Sequence, residues 1–262
     1  MGASQLYVSR LGAVIDGLKS AKFERCLAAW LETVLPFDNL VILAYHQTRP
    51  PRMLYSKTQS NQVLEKFESI YRQGAYLLDP FHTLHLNHWP EGLYHLSDIA
   101  PDQFKRNRYF REYYQNTSMV DEVAFIIYPI EHVSIHISLG RDITSDQRFT
   151  SRQVAAAKEA APIVCALAKQ HWNNFNPAEK PSDAKTFENL IDQVQTTHGV
   201  LLSPRQAQVA ELILKGHSSM SIGLQLGVSA QTVKVFRKQL YKKCQISSQA
   251  ELFNFLMPVL SA

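Results

Sequence analysis

The chain has 262 residues, 45% hydrophobic and 19% charged, with 10 Gly and 12 Pro; this excludes collagen-like, low-complexity and largely disordered proteins and is enough length for two ordinary domains. The formal net charge of +4 is unevenly placed: from Leu201 to Ala262 seven basic residues stand against two acids, a net of +5, which leaves −1 for the first 200 residues. No run approaches the roughly eighteen apolar residues of a membrane span, the N-terminus lacks a signal-peptide pattern, and Leu6 stands where a myristoylation signal needs Ser or Thr, so a cytoplasmic protein is expected.

Along the chain, Leu6, Leu11, Val14, Ile15 and Leu18, then Cys26, Leu27, Trp30, Leu31 and Val34, recur at helical spacing until Pro36 stops the second run. Residues 40–46 and 52–56 read as strands paired through Pro50-Pro51. Residues 61–71 read as a helix. After a segment rich in aromatic and His residues, 101–115 reads as another helix, whose Tyr109, Phe110, Tyr113 and Tyr114 suit a core. Residues 122–130 and 132–139 read as adjacent strands and 151–171 as a long Ala-rich helix. Helices at both ends of an antiparallel sheet make an α+β domain, placed at 1–172.

In the strand 132–139, Val133, Ile135, Ile137 and Leu139 share one face, and His132, Ser134, His136 and Ser138 the other. The polar face either meets solvent, as is common in antiparallel sheets, or lines a ligand cavity under a lid. His82, His85 and His88 recur every three residues, but no carboxylate or Cys completes a metal set, and no cofactor is assigned. Cys26, Cys165 and Cys244 are odd in number and widely separated, which suits reduced packing residues. Nothing resembles G-x-S-x-G, a phosphate-cradling Gly loop or H-E-x-x-H, so an enzyme is not expected.

Residues 173–186 are polar, carry Pro177 and Pro181 and lack apolar periodicity; a short amphipathic helix with Phe187, Leu190, Ile191 and Val194 follows, stopped by Gly199. Linker and connecting helix thus span 173–199, and a basic unit spans 200–262. There Ser203-Pro204 opens a helix that Gly216 ends, Ser218 or Ser219 caps a short one that Gly227 ends, and Ser229 caps a third. A helix, a tight turn and a second helix make the helix-turn-helix pattern, whose later helix enters the major groove of DNA. In the third helix Lys234, Lys238 and Lys242 recur on one face, with Val235 and Arg237 beside them.

With Leu202, Ser203, Arg205, Val209, Gly216, Ile222, Leu226, Val228, Ser229, Thr232, Val233, Lys234, Tyr241 and Lys243 at ungapped spacing, this segment resembles the LuxR-type (GerE-like) DNA-binding domain. It departs from the family pattern at Gln206 and Gln208 (Glu in the family), Phe236 (His) and Cys244-Gln245 (Leu-Gly). The resemblance implies an all-α four-helix domain whose final helix, here 248–257, helps form a homodimer on an inverted-repeat operator. It also implies that Lys234, Val235 and Lys238 reach the groove, with Thr232 and Arg237 near phosphates. Lys242 completes the DNA-binding set, and RNA polymerase is a further candidate partner.

Residues 1–120 lack the paired acids, lone Asp and later Lys of a phosphoacceptor receiver, and Asp38 precedes a strand instead of ending one. Residues 67–99 instead resemble the core of the autoinducer-binding domain of LuxR regulators, so the N-terminal fold is expected to be GAF- or autoinducer-domain-like. Its aromatic, aromatic, Asp-Pro, aromatic pattern falls on Phe67, Tyr71, Asp79-Pro80 and Tyr94; in the family the aromatics wall a pocket and the Asp accepts a hydrogen bond from the signal's amide. Phe67 and Tyr94 replace Trp, which removes two indole donors, so an acyl-homoserine lactone is not assigned and the expected ligand is an amine- or amide-bearing metabolite or an autoinducer-like signal. With Trp89 and Phe125 added, these are the candidate ligand contacts. A buried carboxylate at Asp79 favours an amine- or amide-bearing ligand; its other reading is a helix cap before Pro80. The function expected is a ligand-responsive DNA-binding regulator, the alternative being one whose N-terminal domain only dimerises or binds a partner protein.

Overall fold

The computed structural model describes residues 2–58, 65–106, 110, 119–145, 147–177 and 190–261. The N-terminal part runs α1 (Ala3–Asp16), α2 (Phe23–Val34), β1 (Asn39–His46), β2 (Arg52–Lys57), α3 (Pro80–Leu86), β3 (Gly92–His95), α4 (Leu96–Ile99), β4 (Met119–Ile130), β5 (Val133–Asp142) and α5 (Ser151–Trp172). Five strands form one antiparallel sheet in the order β2-β1-β5-β4-β3. Then follow α6 (Leu190–His198), α7 (Pro204–Lys215), α8 (Ser219–Leu226), α9 (Ala230–Cys244) and α10 (Gln249–Ser261). An α+β unit followed by a helical one is the expected fold class. No described helix is long and apolar enough to cross a membrane.

Period-two alternation sends Val133, Ile135, Ile137 and Leu139 to one side of the sheet, where α1, α2 and α5 cover them. Phe23, Leu27, Trp30 and Leu31 fill the same layer. The opposite face is not wet. Ser134 and His136 are 0% and 1% exposed, shut in beneath α3. His132, expected on that face, lies instead in the β4–β5 turn with φ 61°. The strand β3 was not expected from the sequence, because four residues are too few to show a period. Residues 67–71 form a π-helical turn, closed by the Arg72 N–H donating to the Phe67 carbonyl at 2.8 Å. Of the helix expected at 101–115, the described part is a 3-10 turn at Phe104–Arg106, and Phe110 packs edge-on against Phe104. Residues 61–64, with Tyr109, Tyr113, Tyr114 and Phe187, lie outside the described residues.

The buried polar stripe forms an ordered chain of hydrogen bonds. His85 Nε2–H donates to the Gln47 carbonyl at 2.8 Å, so its Nδ1 is an acceptor and takes the Ser134 hydroxyl proton at 2.7 Å. Ser134 Oγ then accepts from His136 Nε2–H at 3.0 Å. Burial holds the pKa of His82 and His136 well below the usual imidazole value and that of His85 down to about 4, all three below the unfolded 6.5.

Each helix of the C-terminal unit has a legible start and stop. Ser203 and Gln206 form a reciprocal capping box, so Gln206 does the work of the family's Glu there. Gly216 and Gly227 end α7 and α8 in left-handed conformations, and Ser218 and Ser229 cap α8 and α9. Gly223 faces the Val228 carbonyl so closely that a Cβ would lie 2.7 Å from it. The two units share one apolar cluster, and Asp102–Gln103 clasp the α7–α8 turn: Gln103 N–H donates to the Gly216 carbonyl at 3.0 Å and Ser218 N–H to the Asp102 carboxylate at 2.9 Å.

Two outcomes are expected. A group whose folded pKa is depressed below its unfolded one stabilises the fold above the unfolded value and loses that contribution as pH falls. Urea melts should therefore show stability falling below pH 6.5 by about 1.4 kcal/mol per pH unit for each of His82, His85 and His136, with the His85 share levelling off near pH 4, and offset by one such share between about pH 6 and 4 from Asp79, whose folded pKa is raised to about 6. Gln245 ends α9 with φ 56°, where the family pattern has Gly, so Gln245→Gly should raise the C-terminal unit's stability by about 1 kcal/mol in thermal unfolding.

Candidate ligand cavity and nucleic-acid interface

A cavity of the α+β unit lies on the polar side of the sheet. Val41, Leu43 and Tyr45 of β1, Met53 of β2, Met119 and Glu122 of β4 and Ser138 and Gly140 of β5 form its floor, with Asn39 at the edge. Phe67, Tyr71, Asp79 and Phe81 form its roof. The π-helical turn brings Phe67 and Tyr71 onto one side with rings stacked 5.6 Å apart. The space is about 70 Å³, which suits a few heavy atoms unless a side chain swings aside. Met119 is such a side chain: its thioether lies across Gly140, where any Cβ would run into it.

Asp79 is the helix cap of one of its sequence readings, and its carboxylate is buried at the roof of the cavity. One carboxylate oxygen caps α3, accepting the Phe81 N–H at 2.8 Å, with Pro80 in the first turn; the other accepts the Tyr71 hydroxyl proton. Tyr71 in turn meets the Tyr45 hydroxyl at 2.5 Å. Burial pushes Asp79 up to about 6, against the two hydrogen bonds that favour its charged form. An acceptor this desolvated gains most from a ligand that brings a further N–H donor, above all a cationic one.

Of the expected ligand contacts, the structure gathers Phe67, Tyr71 and Asp79 around one cavity and leaves three outside it. Trp89 is 41% exposed and packs edge-on against Tyr94 at 5.7 Å, and the Tyr94 hydroxyl donates to the Pro90 carbonyl at 2.7 Å, so this pair closes the β3 edge. Phe125 is a correction of a different kind: it pairs with Ile137 in register and points to the helix-covered face, with Ala124 and Ile126 on the cavity side. Tyr45, Met53, Phe81 and Met119 were missed. The alternation Val41, Leu43, Tyr45 in residues 40–46 was the available signal for the first of them. Among the described residues no group of three or more His, Cys, Asp or Glu is placed to hold a metal ion.

In α9, Val233, Leu240 and Cys244 are buried, and Lys234, Val235, Arg237, Lys238 and Lys242 all face outward. Thr232 is half-buried at the helix start, its hydroxyl 2.8 Å from that of Ser229. Arg237 lies over the Tyr241 ring at 6.0 Å. No ion pair to Lys234, Lys238 or Lys242 is found among the described residues, so α9 presents a line of unneutralised ammonium groups one turn apart.

Residues 200–256 match the family described as bacterial regulatory proteins, luxR family. The chain is 32% identical over 186 residues to a protein of Aeromonas salmonicida described as an HTH-type transcriptional regulator in the exeN 3′ region, a match that covers 68% of this chain and 93% of that one. Among solved structures it is similar to the LBD domain of VqsR from Pseudomonas aeruginosa, with 26% identity and a TM-score of 0.56 over 65% of this chain and 98% of that one. Escherichia coli SdiA aligns over 97% of this chain and 99% of its own, at 12% identity and a TM-score of 0.44. The exposed cationic α9, set in a capped helix-turn-helix that follows an α+β unit of the VqsR LBD kind, is that of a transcription regulator, and the chain belongs to the luxR family of bacterial regulatory proteins.

Proposed function

We propose that this protein is a cytoplasmic, homodimeric regulator in which residues 1–172 sense a small molecule, 173–199 connect, and 200–262 bind an inverted-repeat operator. The observation that carries the DNA half is the cationic face of α9. Lys234, Val235 and Lys238 read base edges in the major groove, while Thr232, Arg237 and Lys242 sit against phosphates. The ligand half rests on Asp79, a desolvated carboxylate roofing a cavity beside Tyr71 and Phe67. The ligand is a small amine or amide, its donor directed at Asp79 and its apolar part against Phe67 and Leu43. Dimerisation has support in α1, where Val8 and Ile15 are 63% and 52% exposed. RNA polymerase is the partner through which bound regulator acts on transcription.

The DNA reading is tested by titrating operator fragments at several salt concentrations. Lys234→Ala and Lys238→Ala should each cost about 1–3 kcal/mol and relax base preference at one position per half-site, whereas Lys242→Ala should weaken all sequences alike and lower the salt slope by about one. Binding without any salt dependence would overturn it.

The ligand reading is tested by thermal shift with small amines and amides. Because only the folded state binds, amines should raise the melting temperature. Asp79→Asn keeps an acceptor for the Phe81 N–H but sets an amide donor against the Tyr71 hydroxyl; it should lower the apo protein's stability by about 1–3 kcal/mol and abolish the amine response. No response across broad metabolite pools, with operator binding intact, would favour the dimerisation-only alternative.

A further inference from the structure

A cationic corner of the α+β unit lies where that unit grips the helix-turn-helix. Lys105 and Arg106 sit on the 3-10 turn that follows the clasp residues Asp102 and Gln103, and both face an open cleft of about 440 Å³. Arg148, in the loop before α5, faces the same cleft from a different piece of chain. All three residues are exposed, and none makes an ion pair among the described residues. Residues 1–200 carry a net charge of −1, so three unneutralised cations in one place are a local excess and not the character of the whole unit.

Two carboxylates also line the cleft, and both are engaged elsewhere. Asp121 is 5% exposed and accepts from His95 Nε2–H at 2.8 Å and from the Glu122 and Phe149 N–H groups at 3.1 and 3.0 Å. Asp102 accepts the Ser218 N–H in the clasp. The cations are thus left for a partner from outside the chain, and a phosphate suits them: Arg meets it through two parallel N–H bonds, Lys as a point charge. The clasp indicates which phosphate. In a helix-turn-helix the later helix enters the major groove and the earlier one crosses the sugar–phosphate backbone. That earlier helix is α8, and Asp102 holds its N-cap, Ser218. Lys105 comes three residues after Asp102, a reach of at most about 10 Å, so the cleft stands beside the path of a duplex that runs past α8.

We propose that Lys105, Arg106 and Arg148 form a second nucleic-acid contact of this regulator, through which the sensing unit itself holds operator phosphates next to those under the helix-turn-helix. The inference rests on the DNA reading of α9 and extends it to the other unit. Contacts of this kind carry no sequence information; they add affinity, make it more sensitive to salt and fix the orientation of the sensing unit on the duplex. Because one duplex is gripped from both units, binding favours the clasped arrangement over any that parts them.

The test titrates operator and scrambled fragments with the full chain between about 50 and 200 mM salt. Replacing both Lys105→Gln and Arg106→Gln should lower the salt slope by about two per bound protomer, and Arg148→Gln by about one, with affinity falling alike on both fragments. Lys22→Gln, at the N-cap of α2 on the other side of the sheet, should leave slope and affinity unchanged. All these side chains belong to exposed residues, so the variants should melt as the wild type does. A slope that the cleft variants leave at the wild-type value overturns the proposal and leaves the α9 reading in place; wild-type binding with no salt dependence overturns both. A saturable rise in melting temperature with inorganic phosphate that is lost in the Lys105→Gln, Arg106→Gln variant, while the DNA slope stays as it was, assigns the corner to a free anion and likewise overturns the DNA contact.

Discussion

The hydrogen bond from the Tyr71 hydroxyl to Asp79, with the Phe81 N–H on the other carboxylate oxygen, joins two pieces of chain that would otherwise have little reason to meet. It holds the π-helical turn to the start of α3, and α3 in turn roofs the polar side of the sheet. With that roof in place Ser134 and His136 leave water, and they do so only because each finds a partner: Ser134 serves two imidazoles, and the one ring N–H of His85 donates to the Gln47 carbonyl. Nearly every polar group on this face depends on the one next to it. A carboxylate in so dry a place is costly unless something donates to it, so the interaction that organises the roof also defines what the cavity can accept.

The sequence made some of this legible and concealed the rest for identifiable reasons. Long periodic elements were readable: the helices α1, α2 and α5 and the alternation of β5 rest on side chains that pack on one face only. The helix-turn-helix was readable because its punctuation is chemical, with Ser203, Ser218 and Ser229 at the starts and Gly216 and Gly227 at the stops. The segment between β2 and β4 resisted. It contains a π-helical turn, a short strand and two short helices, none long enough to show a period, and its order comes from tertiary contacts such as Tyr71–Asp79. Phe125 was misplaced for a simpler reason: a strand covered on both faces reads as a continuous apolar run, and residues 123–127 do not show which side carries the cavity.

The sensing and DNA-binding units meet through apolar packing and through the Asp102–Gln103 clasp on the α7–α8 turn. The clasp holds backbone groups at the start of α8, the helix that precedes the recognition helix, and leaves the cationic face of α9 uncovered. Two contacts of different chemistry at two places on one small helical unit restrict its rotation more than either would alone.

The thioether of Met119 lying across Gly140 makes the capacity of the sensing chamber an adjustable quantity. Methionine has three soft torsions and no polar atom needing a partner, so its swing opens or closes room without disturbing a single strand pairing. The free volume of the cavity is thus set at a position that carries no side chain. A single substitution there would change that volume, with the sheet, the roof and α9 all left as they are.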